Sequence, residues 1–320
     1  MRTRFTDLVG CRLPIQLAGM GWITGPALAS AVAAAGGAGT VAPHSLPPQA
    51  LEPFLDRLGR GTVGFNVLIP FLDVGAVEVA AARLRYVEFF YGEPDSSLVD
   101  RVQGHGALAA WQVGSLREAR AAEQAGCDFV IVQGMEAGGH VRGTTALLPL
   151  LVTVLDAVAV PVVAAGGIAT ARGMAAVLAA GADAARIGTR FLATPEADVH
   201  PDYQSAVLRA GAEDTMLTQT FSVLWPDAPH RVLRSCVAAA AGGDDRIVGT
   251  VSFGDRQFRL PRLGPRAPIR ATTGDIAAMP LYAGQGVGEV TDIRPAQQIV
   301  RELTAGAARL LAAHGTQAGD

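Results

Sequence analysis

One pattern repeats eight times between Pro14 and Ile187: a short apolar run, then a longer, often Ala-rich stretch with helical character. The apolar runs fall at 14–18, 39–42, 63–67, 86–91, 107–113, 128–133, 162–165 and 184–187. Helical stretches separate them at 26–35, 48–58, 74–83, 96–103, 116–125, 145–158 and 171–180. The runs lack clean polar alternation, as strands buried on both faces do. Strand–helix alternation specifies a parallel sheet, and eight repeats favour a closed barrel over an open one. Punctuation supports the helices. Pro26 opens one at its first turn and Gly36-Gly37 stops it. Ser115 and Glu118 have capping-box spacing. The expected class is therefore α/β, a (β/α)8 TIM barrel.

The pattern breaks after the eighth strand. Residues 202–210 read as a helix, 211–279 show no clear period, and 294–312 form a last helix. The expected organisation is a barrel of residues 1–210 and 280–320. Residues 211–279 are expected to form an inserted, smaller substrate or cap region at the barrel mouth.

Composition excludes several function classes. Half the residues are apolar and the net charge is -3, so a large core is available and no basic block invites nucleic acid. Cys11, Cys127 and Cys236 are far apart and form no CxxC pair, which argues against a disulfide framework or a zinc site. The first ten residues lack an apolar signal core, and a cytoplasmic location is expected. The apolar stretch 146–168 is long enough to suggest a membrane span. Asp156 and Pro161 interrupt it, so a buried helix followed by a buried strand is expected instead. A homo-oligomer is left open.

In a barrel the chemistry gathers in the loops after the strands. Strand seven ends in Ala164-Ala165-Gly166-Gly167 and strand eight in Ile187-Gly188-Thr189. Such glycines either only make tight turns or also let backbone N–H groups hold an anion. Paired turns at these two strand ends favour a phosphate at Gly166, Gly167, Gly188 and Thr189, with the dipole of the next short helix assisting. After strand six comes Gln133-Gly134-Met135-Glu136-Ala137-Gly138-Gly139-His140. Flanking glycines on the catalytic face mark His140 as a candidate acid–base group rather than a satisfied surface histidine. Glu136 either orients this loop or is solvated. Arg142 either binds an acidic substrate group or faces solvent. Ala18, Gly19 and Met20 follow strand one, where glycine permits close approach to a planar ligand and Met20 either packs on it or belongs to the core. Asn66, Gln112 and Gln133 place uncharged amides at three strand ends, which suits a hydrogen-bonding heteroaromatic better than a metal. Trp225 and Pro229-His230-Arg231 read slightly better as core and surface than as pocket contacts.

As a set, these residues resemble the nitronate monooxygenase (2-nitropropane dioxygenase) family. The likeness rests on 133–143, 162–191, Ala283-Gly284-Gln285-Gly286, 14–39 and Gly64-Phe65-Asn66-Val67, and spans about Arg4 to Leu311. The resemblance implies a TIM barrel that binds FMN and acts on a small-molecule substrate with O2. It implies phosphate contacts at Gly167, Gly188 and Thr189, and ring contacts at Ala18, Met20, Asn66, Gln112 and Gln133. Tyr282, Gly284 and Gln285 would close over the site, and His140 would be the catalytic histidine. The chain departs from the family in places. Gly19 stands where typical members have Pro, and Gly19-Met20-Gly21-Trp22 is closer to the flavin-type enoyl-ACP reductases. Gln112 stands where some members have a basic residue. The first expected function is oxidation of alkyl nitronates to carbonyl compounds and nitrite. The second is NAD(P)H-dependent reduction of an enoyl or acyl thioester, and the third a non-redox phosphate-ligand barrel.

Overall fold

A computed structural model describes residues 1–243, 245–254 and 256–315; Asp244, Asp255 and 316–320, which the sequence reading assigned to the cap and the barrel, lie outside the described residues. Eight parallel strands form the central sheet: β1 (Ile15–Leu17), β2 (Gly39–Val41), β3 (Val63–Leu68), β4 (Tyr86–Phe90), β5 (Leu108–Val113), β6 (Phe129–Gln133), β7 (Val162–Ala165) and β8 (Ala184–Ile187). Each pairs with its sequence neighbour, and β8 pairs with β1. The last seam is closed by a parallel bridge between Gln16 and Ala38, with Leu17 N–H donating to the Ala38 carbonyl at 2.9 Å. The sheet is therefore a barrel, and the fold is the (β/α)8 fold expected.

Every strand is buried almost throughout, which is why none shows polar alternation. A second code is nevertheless written along them. On β4 the residues that meet the barrel interior are Tyr86 and Glu88, two apart; on β6 they are Phe129 and Ile131. Large rings fill the N-terminal end of the barrel, and polar groups lie nearer its C-terminal mouth.

Several helices match the spans read from sequence, Pro26–Ala35 and Val74–Arg83 among them. Others are shorter. The expected helix 48–58 ends at Leu55, two residues past Pro53, and 145–158 is Leu147–Leu155. The N-terminal helix Arg4–Val9 was not anticipated. Thr3 caps it through a capping box, and it plugs the barrel bottom, Phe5 meeting Phe129 edge-on at 5.4 Å. The apolar stretch 146–168 divides into a helix and β7, and no described helix is long and apolar enough to cross a membrane.

Residues 211–279 resolve into two small antiparallel sheets. One joins Thr215–Thr218 to His230–Leu233, and then to Gly139–His140 from the β6–β7 loop. The other joins Ile247–Phe253 to Arg256–Pro261 and Thr272–Gly274. The Phe253 ring lies 4.5 Å from that of Trp22, so this second sheet leans over the loop after β1. The long helix Ala296–Gly315 then returns to the outer ring and packs between the helices Pro26–Ala35 and Ala171–Ala179.

Candidate active site

A cavity of about 460 Å³ opens at the C-terminal mouth of the barrel. Ala18, Gly19, Met20, Asn66, Gln112 and Gln133 line it from strand ends, and Gly166, Gly167, Gly188 and Thr189 from the turns after β7 and β8. Gly138, Gly139, His140, Tyr282 and Gly284 complete that side. Gln285 does not line it. That side chain is exposed, and its backbone N–H donates to the Glu136 carbonyl at 2.9 Å. The helix after Gly188 is a single turn, Thr189–Leu192, too short to act as a dipole, so what this side presents to the cavity is the glycine backbone. Gly167 sits at φ +69°, a region that disfavours side chains. Gly138 is needed for a different reason. A Cβ there would lie 2.4 Å from the Gly284 nitrogen, so only glycine lets the two loops cross. Thr189 Oγ1 accepts from Gly284 N–H at 3.0 Å and ties the turn after β8 to this crossing.

His140 is held by β pairing, opposite His230. Its ring stacks on Trp225 at 3.8 Å with 23° between planes, and Tyr282 and Tyr91 stand 5.6 and 5.8 Å away. Its Nε2 is buried with no hydrogen-bond partner among the described residues. Burial first, then the neighbouring His230 and His44, hold its pKa well below the usual histidine range, so the imidazole is neutral near pH 7. His230 is also buried, but both ring nitrogens are engaged: Nδ1 with the Ala228 carbonyl at 2.8 Å, and Nε2 accepting from Phe221 N–H at 3.2 Å. Of the two, only His140 has a ring nitrogen left for a ligand.

The amides divide similarly. Gln133 Nε2 donates to the His140 carbonyl at 3.0 Å, leaving Gln133 Oε1 buried and unpaired. A buried orphan acceptor costs free energy until a donor arrives. An N–H on a bound heterocycle is such a donor.

Of the two readings of Glu136, orienting the loop fits the contacts: both carboxylate oxygens accept from Leu147 N–H, at 3.0 and 2.9 Å, at the start of the helix Leu147–Leu155. Other readings are corrected. Arg142 faces neither substrate nor bulk solvent, because it donates to Glu118 and Glu93, each at 2.6 Å. Trp225 is a cavity wall rather than core or surface. Burial pushes the thiols of Cys11 and Cys236 up to about 11 and that of Cys127 to about 12, which disfavours the thiolate.

Sequence reasoning missed Glu88 and Arg186, which form an ion pair inside the barrel directly beneath the mouth. The available signal was a single charge at an inward position of each otherwise apolar strand. The region 211–279 lines the cavity, as the sequence reading expects of it, with residues that reading did not single out. Val248, Val251, Phe253 and Leu260 wall an apolar upper chamber, and Arg259 and Arg266 line it as well. Among the described residues neither arginine makes an ion pair.

A family model described as nitronate monooxygenase matches residues 2–59 and 47–306. The chain belongs to the nitronate monooxygenase family. It is a flavin-dependent oxidoreductase enzyme. Among solved structures, FabK from Thermotoga maritima superposes with a TM-score of 0.84 at 30% identity, covering 99% of both chains. A nitroalkane oxidase from Streptomyces ansochromogenes gives 0.73 at 31% identity, covering 97% of this chain and all of the other. A (3aS,4S,5R,7aS)-5-hydroxy-7a-methyl-1-oxo-octahydro-1H-indene-4-carboxyl-CoA dehydrogenase from Rhodococcus jostii strain RHA1 is 36% identical over 239 residues, 73% of this chain and 66% of that protein. The chain thus spans just under two thirds of that relative's length.

Proposed function

We propose that this chain is an FMN-dependent oxidoreductase that reduces an apolar enoyl or acyl thioester at the expense of NADH or NADPH. The observation that carries the substrate class is the cavity's upper half. It continues past His140 into the apolar chamber under the cap, with Arg259 and Arg266 in its wall, neither in an ion pair among the described residues. A small nitronate needs neither. A thioester of coenzyme A, or of a carrier protein, brings an apolar acyl group and phosphates together. The carboxyl-CoA substrate in the name of the Rhodococcus relative supports the same choice.

The residues fit FMN. The orphaned Gln133 Oε1 offers an acceptor to a ring N–H, and the turns at Gly166, Gly167, Gly188 and Thr189 offer backbone to the phosphate. Ala18, Gly19, Met20, Asn66 and Gln112 would line the ring, with Tyr282 and Gly284 above. FMN supplies hydride-transfer chemistry when bound. The chain's own part is positional and protonic. His140 Nε2 holds or moves the proton next to the reacting carbon, Trp225 fixes the imidazole plane, and the cap sheet excludes water. Beside Arg266, burial first and the arginine charge second bring His44 down to about 4, so that ring stays neutral and leaves anion binding to the arginines.

Oxidation of alkyl nitronates by O2 is the second reading, favoured by the family model and by the nitroalkane oxidase neighbour. Flavin absorbance recorded anaerobically separates the two. Bleaching by NADH or NADPH, reversed by an enoyl thioester, is the expected result. Bleaching by an alkyl nitronate alone, with nitrite released in air, would overturn it in favour of the second reading. A protein that takes up no FMN would sink both and leave a phosphate-ligand barrel.

The rim arginines give a sharper test. Arg266→Glu is expected to raise KM for a coenzyme A thioester at least about tenfold, the scale of one lost charge-assisted hydrogen bond. The same variant should leave KM for a thioester lacking phosphates unchanged. Equal effects on both substrates would remove Arg266 from phosphate recognition.

A further inference from the structure

In an eight-stranded barrel β4 and β8 stand on opposite sides, and one ion pair crosses the interior between them. The Glu88 carboxylate is fully buried and accepts four hydrogen bonds. Two come from the Arg186 guanidinium, the NH1 contact at 2.6 Å; one comes from Gln16 Nε2 at 2.9 Å and one from Asn66 Nδ2 at 3.0 Å. Arg186 and Asn66 also form part of the cavity wall. Glu88 does not. The network therefore has a hidden centre and two members presented to the ligand space.

Glu88 determines how those members are presented. Because it takes the amide nitrogen of Asn66, the Asn66 carbonyl oxygen is turned toward Gly19, where a Cβ would sit 2.9 Å from it. Because it takes both terminal nitrogens of Arg186, it fixes the guanidinium plane and cancels its charge. Stability alone is a poor account of such a pair, since apolar residues of similar volume generally fill buried sites as well.

We propose that Glu88 is a positioning residue that sets the reduction potential of the bound flavin. It holds Arg186 and Asn66 in the floor under the cofactor and keeps that floor electrically neutral. The proposal rests on the FMN reading above. Reduction adds negative charge to a flavin, so a floor left with an uncompensated cation favours the reduced form.

The test is the two-electron midpoint potential of the FMN-loaded protein and three variants, with flavin content measured alongside. Glu88→Gln keeps shape and removes the negative charge. Its reduction equilibrium is expected to shift about tenfold toward reduced flavin, near +30 mV for two electrons. Arg186→Gln is expected to move the potential the other way, and the double variant E88Q/R186Q to return close to wild type. Should E88Q fail to fold, the comparison passes to R186Q and the double variant; an R186Q potential at or above that of the double variant overturns the proposal. So does one common potential across all flavin-loaded variants, which leaves the FMN reading standing. Wild-type protein that takes up no FMN at all overturns the reading beneath it.

Discussion

Replacing His140 with alanine is expected to lower kcat by roughly 10² to 10⁴-fold, the usual worth of a positioned acid–base group, while flavin content stays at the wild-type level. The two readouts separate because the residue has one job. Its backbone holds the loop by pairing with His230 and by accepting from Gln133, and alanine preserves both contacts. Its side chain lies in the cavity wall, keeps Nε2 buried with no hydrogen-bond partner among the described residues, and packs against Trp225, Tyr282 and Tyr91. The pH profile carries a second signature. Burial makes protonation costly, so the folded pKa lies well below the ordinary histidine value. The neutral form therefore persists as pH falls through 6.5, and the ring changes charge only further down. An acid limb of kcat/KM that stays flat through pH 6.5 is expected. A half-loss at that pH would mean a solvated imidazole and would contradict the buried geometry. His230→Gln should not copy the alanine variant, because both nitrogens of that ring are already engaged.

How much of this was legible beforehand depends on the range of the interactions involved. The barrel strands were readable because each is a local run of apolar residues closed by glycine or proline, and burial on both faces makes such a run contiguous. His140 and the glycine turns were readable because strand ends in a barrel all point one way, so position along a strand gives position in the site. Arg142 was not, and for Glu136 the sequence left loop orientation and solvation equally open. Their partners, Glu93, Glu118 and Leu147, lie 11 to 49 residues away and are chosen by packing, on which local spacing is silent. Trp225 failed for the same reason: its value lies in the 3.8 Å stack on a ring 85 positions earlier. The cap resisted reading because its sheets are built from strands distant in sequence, one of them only Gly139–His140. Glu88 and Arg186 are the instructive miss. Each is a lone charge within an apolar run, and a charge buried on both sides must have a partner. The run alone shows that the partner exists; barrel closure shows where.

That necessity makes Glu88→Ala the substitution with the largest expected effect on stability, about 3 to 5 kcal/mol by urea denaturation. The loss exceeds what the pair contributes, because cutting one side leaves the other stranded. Arg186 would remain 4% exposed with its charge uncompensated, and the amide nitrogens of Gln16 and Asn66 would lose their acceptor in the same dry interior. Removing both charges should therefore be milder than removing one. The double variant E88M/R186M is expected to regain most of the loss, giving a strongly non-additive double-mutant cycle. An exposed pair sets the contrast: Arg101 and Glu78 meet at 2.6 Å, yet both side chains are 40% or more exposed, and Glu78→Ala should leave the midpoint where it was. If E88M/R186M were as unstable as Glu88→Ala, the cost would lie in shape rather than charge, and the carboxylate would be a packing element of the barrel floor. Recovery would show that this interior tolerates the pair without needing it to fold. The reason for keeping two opposite charges beneath the cavity would then have to be sought in what the cavity holds.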